Sequence, residues 1–242
     1  MITGMLRNAR NALAFLSRLV PPASPKDDGS ELAEAVPYYP LAGAILGCLA
    51  TVPAIFVPAL AAWLYPLILA WTTRGLHWDG LADLADACGS NATGDRFWEI
   101  IKDSRIGAFG VMALVFAIAG QIVAAQACIA NNNLPALVLA PVCGRAAVIA
   151  LGRLSQPHPA STLAALTHPG TRSRPALAAF ILTLAIAAPV LGVTPTCVAI
   201  ALMFCCLAVL LRIAARHGGA NGDFYGAMIV AAETCVLVAG GI

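Results

Sequence analysis

Seven apolar runs, at about 40–57, 59–73, 108–130, 134–152, 176–192, 195–212 and 225–242, dominate this chain and leave it almost no soluble way to fold. Charged residues make up only 11% of the 242 positions and the mean hydropathy is +0.84, so there is too little polar surface to clothe a water-soluble core. Helices satisfy their own backbone hydrogen bonds in lipid, so the expected fold is all-α: a single polytopic integral membrane helix bundle over 1–242. The first two runs are short, rising roughly 22–27 Å against a hydrocarbon core of about 30 Å. Pro53, Pro58 and Pro66 interrupt them, which fits the wall of a protein-lined cavity.

Charge placement gives the orientation. Thirteen of the fourteen Lys and Arg fall in the N-terminal segment, the 74–107 loop, the 153–175 loop or the 212–224 loop, and Arg145 is the exception. The intervening turns at Val57-Pro58, Asn131–Asn133 and Gly192–Thr194 carry no charge. By the positive-inside rule the N-terminus and the long loops face the cytoplasm and the C-terminus faces outside, as expected in a bacterial cytoplasmic (inner) membrane. The run Met5–Val20, with Arg7, Arg10 and Arg18 among apolar residues, reads as an interfacial helix. It lacks the uninterrupted apolar stretch and cleavage site of a signal peptide. Residues 23–36 read as a solvated connector. Gly43 and Gly47 form a G-x-x-x-G spacing suited to close helix packing.

Eleven of the twelve acids lie on the cytoplasmic side, an excess that the topology rule does not require. Its focus is Gly75-Leu-His-Trp-Asp-Gly-Leu-Ala-Asp-Leu-Ala-Asp86, where Asp79, Asp83 and Asp86 stand at i, i+4 and i+7 on one helix face. Three close carboxylates repel one another unless a cation sits between them, and an oxygen-only set suits hard Mg²⁺. His77 adjoins this face but points away from it by helical angle. Asp95–Gly107 reads as an amphipathic helix with Phe97, Ile100 and Ile101 toward the membrane. Lys102 and Arg105 are candidate phosphate clamps, and Asp103 is either part of the site or a cap of the following span.

Two ionisable groups lie inside the runs. Arg145 and Glu233 sit at similar depth, where a lone Arg costs about 2.5–3.5 kcal/mol, so they are expected to face one cavity and pair. Asp223, in Asn221-Gly-Asp-Phe-Tyr-Gly-Ala227, is either an N-cap or a further ligand. The eight cysteines contain no C-x-x-C pair and read as inert buried thiols; the scattered histidines give no zinc pattern. The Asn91-Ala-Thr93 sequon falls in a loop expected to be cytoplasmic and is read as chance.

Over nearly its whole length the chain resembles the cobalamin synthase (adenosylcobinamide-GDP ribazoletransferase) family. The resemblance rests on Phe15-Leu-Ser-Arg-Leu-Val-Pro21, Tyr38-Tyr-Pro-Leu-Ala-Gly-Ala-Ile-Leu-Gly47 and the aspartate motif. Lys102-Asp-Ser-Arg-Ile-Gly107, the Arg145 region and Gly222-Asp-Phe-Tyr-Gly-Ala227 follow in order. One departure is Val230, where an acid is expected seven residues after Asp223; Glu233 is the nearby carboxylate. The resemblance implies Mg²⁺-dependent transfer of phosphocobinamide from adenosylcobinamide-GDP to α-ribazole or its 5′-phosphate, releasing GMP. It implies Asp79, Asp83 and Asp86 as metal ligands, with Asp86 chosen among them to take the proton of the attacking ribose hydroxyl. Asp103 joins them as a catalytic residue, and His77, Lys102, Arg105, Arg145, Asp223 and Glu233 are expected to bind substrate. No nucleic-acid partner is expected, and a homo-oligomer is left open.

Two other classes compete. A CDP-alcohol phosphotransferase also uses spaced aspartates on membrane helices, but this chain has Asp79-Gly-Leu-Ala-Asp83 in place of the D-G-x-x-A-R start. A cation-coupled transporter would place its acids near the bilayer midplane in repeated halves, and no repeat is visible.

Overall fold

The computed structural model describes residues 2–21 and 29–242, and every described element is helical or a turn. Residues 23–28 of the 23–36 connector lie outside the described residues, and its remainder is not a loop. Ser30–Ala35 is a short helix that runs through a 3₁₀ turn at Val36–Tyr38 into the first span. In chain order the helices are α1 (Ile2–Leu16), α2 (Ser30–Ala35), α3 (Tyr39–Thr51), α4 (Pro53–Phe56), α5 (Pro58–Thr72), α6 (Leu76–Gly89) and α7 (Asp95–Ile101). Then follow α8 (Ala108–Ala130), α9 (Leu134–Leu154), α10 (Thr162–Arg172), α11 (Arg174–Leu191), α12 (Val193–Arg216) and α13 (Gly222–Gly240).

Among the described residues six helical stretches are long and apolar enough to cross a membrane: Ser30–Phe56, α8, α9, α11, α12 and α13; α5 is a shorter apolar seventh. The chain is therefore a polytopic membrane helix bundle, with its first span beginning earlier than its hydropathy indicates. Prolines start α4 and α5 where no helical N–H is needed, so the chain reverses at Val57 without breaking either helix. Arginine in the last turns of α9, α10 and α12 complements the negative helix ends.

Burial separates the centre from the rim. The most apolar windows of α9 and α13 are 72% buried, against 22% for α8, α11 and α12, so α9 and α13 form the axis and the other three line the lipid-facing edge. Small residues set the close crossings. At Gly43 and Gly47 an added Cβ would strike the backbone of Pro141 and Val138, so the G-x-x-x-G face of α3 seats directly on α9. At the far end Asn131 and Asn133 donate to the carbonyls of Gly241 and Gly240, both at 2.9 Å, so the chargeless turn caps α13.

Arg145 and Glu233 do pair, and completely out of solvent: they are 0% and 2% exposed and joined by a direct ion pair between α9 and α13. His77 of α6 places Nδ1 3.3 Å from the Arg145 guanidinium, while Gln121 of α8 donates to the hydroxyl of Thr234, next to Glu233, at 3.3 Å. Four helices thus meet at one buried polar cluster. Removing one partner strands a charge, whereas replacing both with apolar groups of similar volume removes the desolvation cost as well. Arg145→Met or Glu233→Leu alone is expected to destabilise by about 3–5 kcal/mol. The double variant should recover most of that loss, read as the melting temperature in detergent.

Candidate active site

The α5–α6 junction starts the site. Arg74 and Gly75 both adopt positive φ, 60° and 71°, and the Gly75 N–H closes on the Ala70 carbonyl at 2.8 Å, so the chain turns sharply into α6. A non-glycine residue in this conformation is uncommon and strained. Arg74 is held there by a bond from its guanidinium to the Phe15 carbonyl at 3.2 Å, and it borders the acidic pocket. Nothing in the sequence singles Arg74 out, because a left-handed arginine has no pattern signal.

Helix α6 has two faces. His77, Gly80, Leu84 and Ala87 are on or near the side that packs inward. A Cβ at Gly80 would lie 2.8 Å from the Asp223 Cα, and one at Gly226 would lie 3.0 Å from the His77 carbonyl. Both glycines let α6 and α13 touch backbone to backbone. Asp79, Asp83 and Asp86 occupy an arc of about 60° on the other side. Asp79 and Asp83 open into a pocket of about 400 Å³ walled by Arg74, Trp78, Ser104 and Ile106.

The three aspartates do not share one task. Asp86 accepts the N–H groups of Gly107 and Gly110 at 2.7 and 2.8 Å, one on each carboxylate oxygen, and so caps α8 from another helix. Side chains at Gly107 or Gly110 would collide with this carboxylate, which explains the glycine that closes Lys102–Gly107. Asp103, expected as a cap or as a site residue, does not cap α8. It accepts the Arg105 backbone N–H at 3.0 Å and grips the Arg105 guanidinium at 2.7 and 3.0 Å. Those bonds hold the Asp103 carboxyl down at about 2.

Asp223 does not cap its own helix either. Asn221 does so, accepting from the N–H groups of Asp223 and Phe224, and its amide donates to Asp223 at 2.6 Å. The Asp223 carboxylate is instead close enough to Asp79 and Asp83 for its charge to act on Asp83 and for that of Asp79 to act on it. Burial, then the charges of Asp79, Asp223 and Asp86, push the Asp83 carboxyl up to about 7.

The remaining expected binders lie elsewhere. Arg145 and Glu233 are sealed in the core, and Glu233 lies ten residues, roughly 15 Å of helix, beyond Asp223. Glu233 therefore does not supply the carboxylate missing at Val230. His77 is buried against Arg145, and burial together with that positive neighbour holds its imidazole well below the ordinary range, hence neutral. Lys102 is exposed and near enough to His158 to lower that imidazole's pKa, and Arg105 is committed to Asp103. Helix α7 ends at Ile101, short of the expected helix, and its apolar face meets protein in place of lipid. Phe97 stacks on His217 and Trp98 on His158, with centroids 3.7 and 3.9 Å apart.

Among the described residues no three His, Cys, Asp or Glu side chains enclose a single ion site. The donor set nevertheless fits Mg²⁺, which keeps several waters and typically binds one or two carboxylates together with substrate phosphates. Asp79 and Asp83 offer those two carboxylates at an open pocket. Their mutual repulsion with Asp223 is the local demand for a cation.

A bundle of apolar helices with a cluster of carboxylates at an open pocket defines a polytopic membrane protein with an acidic site. The chain belongs to the cobalamin-5-phosphate synthase family, whose sequence model matches residues 8–241. It is 46% identical to a protein of Nitratidesulfovibrio vulgaris strain DP4 named adenosylcobinamide-GDP ribazoletransferase, across 97% of each chain. Proteins of the same name from Desulforamulus reducens and Azorhizobium caulinodans are each 34% identical, over 96% and 97% of this chain and 95% of their own length. No solved structure matches it.

Two contrasts follow from the divided aspartates. Asp86→Ala removes a cap and should lower stability by about 1–2 kcal/mol across neutral pH. Asp83 holds its proton more tightly folded than unfolded, so metal-free wild type loses stability as pH rises from about 4 to about 7. Asp83→Asn should lack that loss, its advantage growing over the interval and then levelling in thermal melts with EDTA. Arg74→Gly relieves the left-handed strain, so melting should hold or rise by roughly 0.5–1 kcal/mol equivalent. Its turnover should fall at least tenfold if the guanidinium meets substrate.

Proposed function

We propose that this protein transfers the phosphocobinamide moiety of adenosylcobinamide-GDP to the ribose hydroxyl of α-ribazole, or of its 5′-phosphate, with release of GMP. The observation that carries this reading is the convergence of Asp79, Asp83 and Asp223 beside Arg74, in a chain of this family and at the end of the bundle where the basic loops gather. Opening a diphosphate needs charge neutralised on the transferred phosphoryl and on the leaving nucleotide. Mg²⁺, when bound by Asp79 and Asp83, supplies that neutralisation and polarises the phosphoryl oxygens.

The chain's own residues do the rest. Arg74 meets a phosphate oxygen at the pocket wall, where a guanidinium offers paired donors. Asp83, whose carboxylate borders the pocket and is not tied to another helix, is placed to take the proton of the attacking hydroxyl, a role better suited to it than to Asp86, whose oxygens are bound to α8. Asp223, on the lining of the adjoining apolar cavity, orients the acceptor. Basic loops at the site end fit a cytoplasmic active site in the inner membrane, with the apolar rim of α8, α11 and α12 in lipid.

The test is conversion of adenosylcobinamide-GDP and α-ribazole by protein reconstituted in lipid, with and without Mg²⁺. Cobamide and GMP should appear only with the metal, and Asp83→Asn should lose about 10²–10⁴-fold in kcat while remaining folded. Well-folded wild type that makes no cobamide with either acceptor would overturn the reading.

A further inference from the structure

Behind the acidic pocket lies a second, mostly apolar cavity of about 120 Å³. It is bounded by α1, α3, α6, α9, α10 and α13, and Leu76 belongs to both spaces. Its size is of the order of the roughly 150 Å³ apolar cavity that houses a benzene ring, and far below what a corrin or a nucleoside diphosphate needs. Its walls are apolar, from Phe15, Val148 and Ile229 among others, and Asp223 stands on its border.

Three polar groups on its lining have no partner. The Tyr39 and Tyr225 hydroxyls and His77 Nε2 are buried and unbonded, on residues 3%, 8% and 4% exposed. The chemistry of the His77 atom follows from its neighbour. A guanidinium can only donate, so Nδ1, 3.3 Å from Arg145, is the accepting nitrogen and the ring hydrogen sits on Nε2. An orphaned buried donor is costly, and that cost is recovered when a ligand brings a lone pair. A lipid chain would fill the volume and leave all three groups unpaired.

We propose that this cavity receives the flat heteroaromatic base of the acceptor nucleoside, its free ring nitrogen accepting from His77 Nε2–H and its ribose left at Asp223 beside the acidic pocket. A benzimidazole matches that chemistry, being apolar at its edges with one unsubstituted lone-pair nitrogen. The proposal rests on the transferase reading above and names where its acceptor lies.

The experiment measures binding of α-ribazole, and of the nucleoside with that nitrogen replaced by C–H (the indole riboside), to protein in lipid nanodiscs with EDTA. The wild type should bind α-ribazole without metal and the indole riboside about tenfold more weakly, the cost of one hydrogen bond. In His77→Phe the two should bind alike, and Tyr39→Phe should raise the acceptor KM. Val148→Trp should fill the cavity and abolish acceptor binding, while adenosylcobinamide-GDP, titrated directly, still binds as it does to the wild type. Should Val148→Trp fail to fold, the His77 and Tyr39 variants carry the test.

Equal binding of the two nucleosides by wild type, or undiminished α-ribazole binding by folded Val148→Trp, would overturn the proposal. So would a co-purified lipid that stays in the cavity while α-ribazole binds. If wild type still makes cobamide in any of these cases, only the cavity assignment falls. If folded wild type makes none, the transferase reading falls and takes the assignment with it.

Discussion

The ion pair between Arg145 and Glu233 is the constraint around which the bundle is arranged. Two charges this deep survive only together, so α9 and α13 must meet at one register and at close distance. Gly144 allows it, since a Cβ there would press on the Glu233 side chain at 3.0 Å. His77 and Gln121 extend the cluster to α6 and α8. A sliding helix would break several buried polar contacts at once, which gives this apolar protein a single packing where dispersion alone would tolerate many.

That cluster fixes the acidic site from behind. His77 is anchored to Arg145, and Gly80 and Gly226 let α6 lie against α13, so the opposite side of α6 is turned outward with its aspartates. Because Asp86 holds the N-terminus of α8, the same face also closes the far wall. Only Asp79 and Asp83 are left open, with Asp223 brought in by the α6–α13 contact. Like charges in a partly buried place are held together by packing energy from elsewhere in the bundle, which leaves them ready for a cation and a phosphorylated substrate.

The juxtaposition of a polar, open pocket and an apolar, half-closed one, with Leu76 and Asp223 at the boundary, suits a reaction between unlike partners. A charged diphosphate belongs with the carboxylates and Arg74, and a flat uncharged ring belongs in the apolar cavity. Holding both at fixed separation removes much of the entropy cost of a bimolecular transfer.

By itself the sequence determined the class of fold, because apolar runs of membrane length permit only helices, and it located the acids, because residues at i, i+4 and i+7 share a face wherever the helix packs. Pairing of Arg145 with Glu233 was also legible, since lone charges at that depth are too costly. Tertiary structure alone decided what each acid does. Asp86 became a cap because α8 begins beside it, Asp223 joined Asp79 and Asp83 through a glycine crossing, and Asp103 closed on Arg105. It likewise took Arg145 and Glu233 out of reach of substrate and put Arg74 at the pocket in a strained turn. These assignments depend on contacts between residues far apart in the chain, and periodicity along one helix carries no information about which neighbour will arrive opposite it.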